Sequence, residues 1–155
     1  MSRKRCIRKV WALVNPIEHA ISGAAITPRK ALDTLLSREL ASLDAFARGR
    51  AGMPEWQDMA NLNNVTQTLA GMGVGHEAMP DCHKAEAGLI DAARRFQETG
   101  RMGLTGPALQ ALREVIEWHD IQRASIARSQ YEEAIRLTGA RIKSGHATVD
   151  LAKTL

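Results

Sequence analysis

Apolar side chains recur at steps of three and four residues along most of the chain, which is the spacing of one face of an α-helix. Thr27 is a suitable N-cap, Pro28 suits the first helical position, and Gly49 is suited to ending a helix. The pattern therefore predicts a first helix between Thr27 and Gly49. Its apolar face consists of Leu32, Leu35, Leu36, Leu40, Leu43 and Phe46.

Two further helices are predicted before Gly100. The second helix begins at Pro54 and ends at the glycine-rich segment GMGVG (71–75). Because that segment follows a helix rather than a strand, it favours a tight turn over a phosphate-binding loop. The third helix begins near His76 or Pro80 and extends to Thr99. The apolar stripe of the second helix is Trp56, Met59, Leu62, Val65, Leu69 and Met72, and that of the third is Met79, Cys82, Leu89 and Phe96.

The longest uninterrupted helical pattern runs from Thr105 to Thr138. A helix of this length spans ~50 Å, whereas the other three span ~30–36 Å, so part of it must overhang the bundle or bind something else. The patterns together predict an all-α fold, an antiparallel bundle of four main helices with a long C-terminal helix. The predicted parts are an extended basic N-terminal arm (1–26), the bundle (27–138) and a polar C-terminal tail (139–155).

Composition agrees with a helical protein of one domain. The 155 residues are 45% hydrophobic and only 4% aromatic, a composition poor in residues that favour strands. Cys6 and Cys82 form no CxxC pair or regular spacing, which fits a reducing compartment. The apolar run VWALV is too short for a secretory signal, and no run approaches the ~20 residues that span a bilayer. We therefore expect a cytoplasmic protein that does not enter a membrane.

The net charge of +4 is concentrated at the N-terminus. Without the basic residues of segment 1–9, the rest of the chain has 16 basic and 17 acidic residues and is nearly neutral. Such a basic segment can bind phosphates of nucleic acid, although a solubilising chain end has the same composition and is the favoured interpretation. The candidate phosphate contacts are Arg3, Lys4, Arg5, Arg8 and Lys9.

A polar layer interrupts the apolar face of the long helix at His119, Asp120 and Arg123. Asp120 and Arg123 are three residues apart and can pair with each other. One interpretation is a ligand or catalytic pocket around His119, whose ordinary pKa suits acid–base chemistry. The other is that the bundle thins at this level, so that the layer meets water. The predicted overhang favours the second interpretation.

The opposite side of the same helix carries two large apolar residues, Trp118 and Ile121, among polar neighbours. Exposed apolar side chains beside each other indicate a contact surface. We expect this surface to contact either the N-terminal arm or another subunit, and the sequence favours neither.

No spacing indicates a metal or a cofactor. His76, Cys82 and His83 are metal-capable, but a structural zinc site needs four ligands in paired short spacings. A di-iron bundle needs Glu-x-x-His, and Ile116 stands three residues before His119. Since no nucleophile motif is present either, we expect no metal, no cofactor and no enzymatic activity.

The layout resembles that of small helical proteins carried by phages and prophages of proteobacteria. The similarity lies in a short basic arm, the capped helix TPRKALDTLL, a helix ending in LAGMG, and RRFQETG before a long final helix. The resemblance implies no known activity and no functional residue.

These observations lead to the hypothesis of a non-enzymatic accessory protein of a mobile element that binds another macromolecule. An unknown protein partner or a homodimer is the first expectation, and nucleic acid bound through the N-terminal arm is the second. The rival hypothesis is a small enzyme or ligand binder centred on His119, Asp120 and Arg123.

Overall fold

The computed structural model of the chain describes residues 27–145, so the predicted N-terminal arm and residues 146–155 lie outside the described residues. No strand occurs between residues 27 and 145, which confirms the all-α prediction. Five α-helices and one short 3-10 helix occur instead. They are α1 (Arg29–Ala47), α2 (Met53–Gly71), the 3-10 helix (His76–Ala78), α3 (Met79–Thr99), α4 (Gly106–Ser125) and α5 (Arg128–Lys143).

Local signals in the sequence set several helix ends. The backbone N–H of Gly52 donates to the Glu55 carboxylate at 2.8 Å, which fixes the start of α2. Gly100 takes the left-handed conformation (φ 70°) that ends α3. Thr105 caps α4 as predicted, because its hydroxyl oxygen accepts from the Ala108 N–H at 3.3 Å.

The predicted long C-terminal helix is wrong, since the chain forms two helices in its place. The backbone is extended at Ile126 (φ −121°, ψ 158°) and Ala127 (φ −70°, ψ 152°), between α4 and α5. Residues 27–145 therefore form five α-helices rather than four, and none of the five is ~50 Å long. Helix α5 continues to Lys143, beyond the predicted end at Thr138.

Side-chain burial explains this break, which no glycine or proline marks. Ile126 is buried in a small cluster with Leu69 and Ala134, and the extended backbone places it there. The side-chain oxygen of Gln130 accepts the free N–H of Ala127 at 3.0 Å, which satisfies one donor at the start of α5.

The main core lies between α1, α2, α3 and α4, whereas α5 packs mainly against α2. The indole N–H of Trp56 donates to the Leu89 carbonyl at 2.8 Å, which ties α2 to α3 inside this core. Gly88 of α3 lies against Ala108 of α4, so these two helices approach closely there. None of the described helices has the length and apolar character needed to cross a membrane.

Several polar side chains of helix α2 are buried in the interior. Its buried polar side chains include those of Asn63, Thr66, Gln67 and Thr68. Gln67 donates to Glu86 of α3 at 3.1 Å, and Thr68 accepts from Thr138 of α5 at 2.8 Å. This polar stripe therefore holds neighbouring helices by hydrogen bonds and supplies one partner of the site described next.

Candidate functional site

His119 lies at the centre of a buried hydrogen-bond chain. Its Nδ1 is 2.9 Å from the Thr66 hydroxyl, and its Nε2 is 2.9 Å from the Tyr131 hydroxyl. The Thr66 hydroxyl is also 2.8 Å from the Leu62 carbonyl, which can accept its hydrogen. Both ring nitrogens of His119 therefore have a hydroxyl partner within hydrogen-bonding distance.

This environment keeps the imidazole neutral. Burial lowers the pKa of His119 to about 3, and the neighbouring Arg123 cation acts in the same direction. Burial also raises the pKa of Tyr131, so its hydroxyl stays protonated and available as a donor. At neutral pH the chain from Tyr131 through His119 to Thr66 is a complete set of neutral hydrogen bonds.

Two residues of the predicted polar layer, His119 and Arg123, do not meet water, contrary to the favoured interpretation of the sequence, whereas the Asp120 side chain is 16% exposed. The exposed fraction is 2% for His119 and 4% for Arg123. The physical reason is the break at Ile126, because α5 folds back and brings Tyr131 against the imidazole. In a continuous helix these two residues would be ~18 Å apart along the axis.

Arg123 is paired with a residue that the sequence analysis did not connect to it. Its guanidinium donates to both carboxylate oxygens of Glu39 on α1, at 2.7 and 2.9 Å. The predicted partner, Asp120, is 3.9 Å away and is itself 3.2 Å from Arg29. Burial raises the pKa of Glu39, and the Arg123 charge opposes that shift. The layer thus joins α1 to α4 through a nearly dry, bidentate ion pair.

An open groove lies beside this network, between α1, α2 and α5, with a volume of about 450 Å³. Two of its apolar side chains are half exposed, Leu35 on α1 (41%) and Ile135 on α5 (49%). The Arg38–Asp58 ion pair, 3.2 Å long, also lines it. The remaining lining residues are Glu39, Asn61, Leu62, Val65, His119, Tyr131, Gly139 and Ile142. We call this surface the α1–α5 groove.

The predicted contact surface on the other side of α4 is smaller than the sequence indicated. Trp118 is half buried and packs against the main core, which leaves Ile121 as the exposed apolar side chain, at 57%. The predicted phosphate contacts of the N-terminal arm, Arg3 to Lys9, lie outside the described residues. The contact of this surface with the N-terminal arm or with another subunit stays a prediction.

The metal-capable residues of the third predicted helix do not form a site. His76 and His83 are exposed, whereas Cys82 is a buried free thiol. Burial raises the pKa of Cys82 to about 12, so it is not a thiolate at neutral pH. Between residues 27 and 145, no three His, Cys, Asp or Glu side chains form a group that could hold a metal ion.

Sequence reasoning identified His119, Asp120 and Arg123 but missed Glu39, Thr66 and Tyr131, which complete the layer. No protein-family model, curated protein or solved structure matches the chain. Its function must therefore be inferred from the α1–α5 groove and the buried layer beside it.

Proposed function

We propose that the protein is a non-enzymatic binding protein whose α1–α5 groove receives an apolar segment of a protein partner. The observation that carries this proposal is the pair of half-exposed aliphatic side chains, Leu35 and Ile135, on two different walls of one concave surface. Exposed apolar groups gathered in a concavity indicate a contact surface, whereas apolar groups scattered singly do not.

The size and chemistry of the groove suit a peptide segment. A volume of about 450 Å³ falls within the range of ligand-binding pockets, ~300–1,000 Å³, and accommodates several side chains. Amphipathic helices bind by placing an apolar face in such a groove. The Arg38–Asp58 pair and Asn61 provide polar groups at the same surface, and these can fix the orientation of a bound backbone.

The state of His119 supports binding over the rival enzymatic hypothesis. A general base needs an accessible nitrogen and a pKa near the working pH. Both nitrogens of His119 are engaged by Thr66 and Tyr131, and its pKa is about 3. Arg123 is likewise occupied by Glu39 on two of its nitrogens. These contacts favour a structural role for the buried layer, in which it holds the groove wall in place, over a catalytic one.

The charges of the described residues favour a protein over nucleic acid as the partner of this surface. Several exposed arginines are neutralised by nearby carboxylates, as in the pairs Arg48–Asp44 and Arg94–Asp91 at 2.8 and 3.0 Å. A role as an accessory protein of a mobile element is part of the same proposal and has its support in the sequence resemblance. The alternative proposal, binding of nucleic acid, depends on the basic residues of the N-terminal arm.

Peptide selection tests the groove directly. Random 12-residue peptides displayed on phage are selected on the immobilised full chain, and the dissociation constant of a selected peptide is then measured by fluorescence anisotropy. We expect Ile135→Asp to weaken binding ~10- to 100-fold, because one buried aliphatic side chain contributes ~1.5–3 kcal/mol.

Leu40→Asp is the matched control, since Leu40 is also half exposed (44%) but does not line the groove. It lies about 140° around α1 from Leu35. Peptides that bind the wild type and Ile135→Asp equally well would contradict the proposal.

A further inference from the structure

The α1–α5 groove leads towards the first described residue of the chain. A second cavity of about 50 Å³ is lined by Thr27, Leu32 and Ile126. Leu35 and Tyr131 line both this cavity and the groove. The lining is therefore continuous from Thr27, where the N-terminal arm joins the bundle, into the groove.

The arm is long enough to reach and fill this surface. From Tyr131 to Ile142, the groove wall on α5 is ~16 Å long at 1.5 Å per residue. The ten residue-to-residue steps from Ile17 to Thr27 can span ~33 Å when the chain is extended. Residues 10–17 can therefore lie along the whole groove while remaining attached to α1.

The apolar content of the arm matches the groove better than that of the other chain end. Residues 10–14 (VWALV) form an uninterrupted apolar run, and Ile17 follows three residues later. In segment 146–155 the large apolar residues are separated by polar ones, as in TVDLAKTL. Ile121, the remaining candidate contact for the arm, is a single exposed side chain rather than a concavity.

We infer that residues 10–17 of the N-terminal arm occupy the α1–α5 groove of their own chain and compete there with the partner. The second half of this statement rests on the proposed function, whereas the location of the arm does not. An occupied groove lowers the apparent affinity of any other segment by the fraction of molecules in which it is free. The arm would thus set the affinity of the groove for its partner.

Disulfide mapping in the full chain tests the location. In a Cys6→Ser background, Val14→Cys is combined with Ile135→Cys in the groove or with Ile121→Cys on α4. Native Cys82 is buried and does not interfere. Under mild oxidation we expect an intramolecular disulfide to form at least ~10-fold faster with position 135, since the two Cβ atoms must approach to ~4 Å.

Each other outcome overturns the inference. Equal rates for the two pairs, or faster reaction at position 121, would place the arm outside the groove. A disulfide that forms at position 135 only between two molecules would show that a second copy supplies the segment. Reduced and oxidised chains are separated on a non-reducing gel, and circular dichroism confirms that every variant is folded.

Competition is tested separately with the selected peptide. The double variant Trp11→Asp and Val14→Asp should bind it at least ~10-fold more tightly than the wild type does, if the arm fills the groove in nine molecules of ten. Unchanged affinity would refute competition. If Ile135→Asp still abolished peptide binding in that case, the proposed function would stand while the role of the arm would not.

Discussion

Replacing Gly88 by alanine should destabilise the protein, although alanine is the better helix former. A Cβ atom added at Gly88 would overlap the Cβ atom of Ala108 and come within 3.4 Å of its Cα. Methyl carbons need ~3.5–4.0 Å, and the Ala108 methyl is fixed to the backbone of α4, so the two helices must move apart. The overpacking lowers the free energy of unfolding by up to ~3 kcal/mol, and the better helix propensity of alanine raises it by ~1 kcal/mol. The net loss of stability is therefore ~2 kcal/mol.

Urea unfolding followed by far-UV circular dichroism measures this change. Gly139→Ala is the matched control, because Gly139 lies within α5 and a Cβ there would meet nothing within 4 Å. It should gain ~0.5–1 kcal/mol. Adding Ala108→Gly to Gly88→Ala removes the overlapping methyl and should recover most of the loss. A Gly88→Ala variant as stable as the wild type would refute the close approach of α3 and α4.

Three predictions concern the buried layer. Glu39→Ala leaves Arg123 buried without its bidentate partner, and urea unfolding should show a loss of ~3–5 kcal/mol. Tyr131→Phe removes the hydroxyl partner of His119 Nε2 and should cost ~1–3 kcal/mol in the same assay. His119 has a folded pKa of about 3 against an ordinary 6.5, so the unfolded chain binds a proton that the folded protein does not. Its contribution to stability is complete above pH 6.5 and should fall by ~1.4 kcal/mol per unit as the pH drops towards 3.

The controls for these predictions come from exposed groups. Asp44→Ala breaks the exposed pair with Arg48 and should change the free energy of unfolding by less than ~1 kcal/mol. His119→Gln should remove the histidine part of the pH dependence between 6.5 and 3. A pH dependence that is the same in the wild type and His119→Gln would show that the imidazole is not buried in the neutral form.

The helix ends that were predicted correctly are fixed by neighbouring residues, although α1 begins at Arg29 with Pro28 as its N-cap instead of the predicted Thr27. The cap at Thr105 and the stop at Gly100 depend on a few adjacent positions, and both occur in the structure. The break at Ile126 depends on burial against Leu69, more than fifty positions earlier, so helical periodicity continues through it. The one local signal was Gln130, placed to accept the N–H of a residue three positions before it.

The site was predictable to a similar extent. A histidine, an aspartate and an arginine on an apolar helix face require hydrogen-bonding or charged partners, and this requirement was predicted from the sequence. It paired Arg123 with Asp120 because they are close in sequence, while the bidentate partner Glu39 lies 84 positions away. Tyr131 was not recognised because a continuous helix would keep it far from His119.

The separation of α5 from α4 also has a dynamic consequence. Helix α5 packs mainly against α2, through a cluster much smaller than the main core. Its detachment therefore costs less than unfolding the other four helices, and we expect α5 to open as a local unit. The same movement would take Ile135 away from the groove and Tyr131 away from His119. The equilibrium between attached and detached α5 therefore affects both the shape of the groove and the protonation of His119.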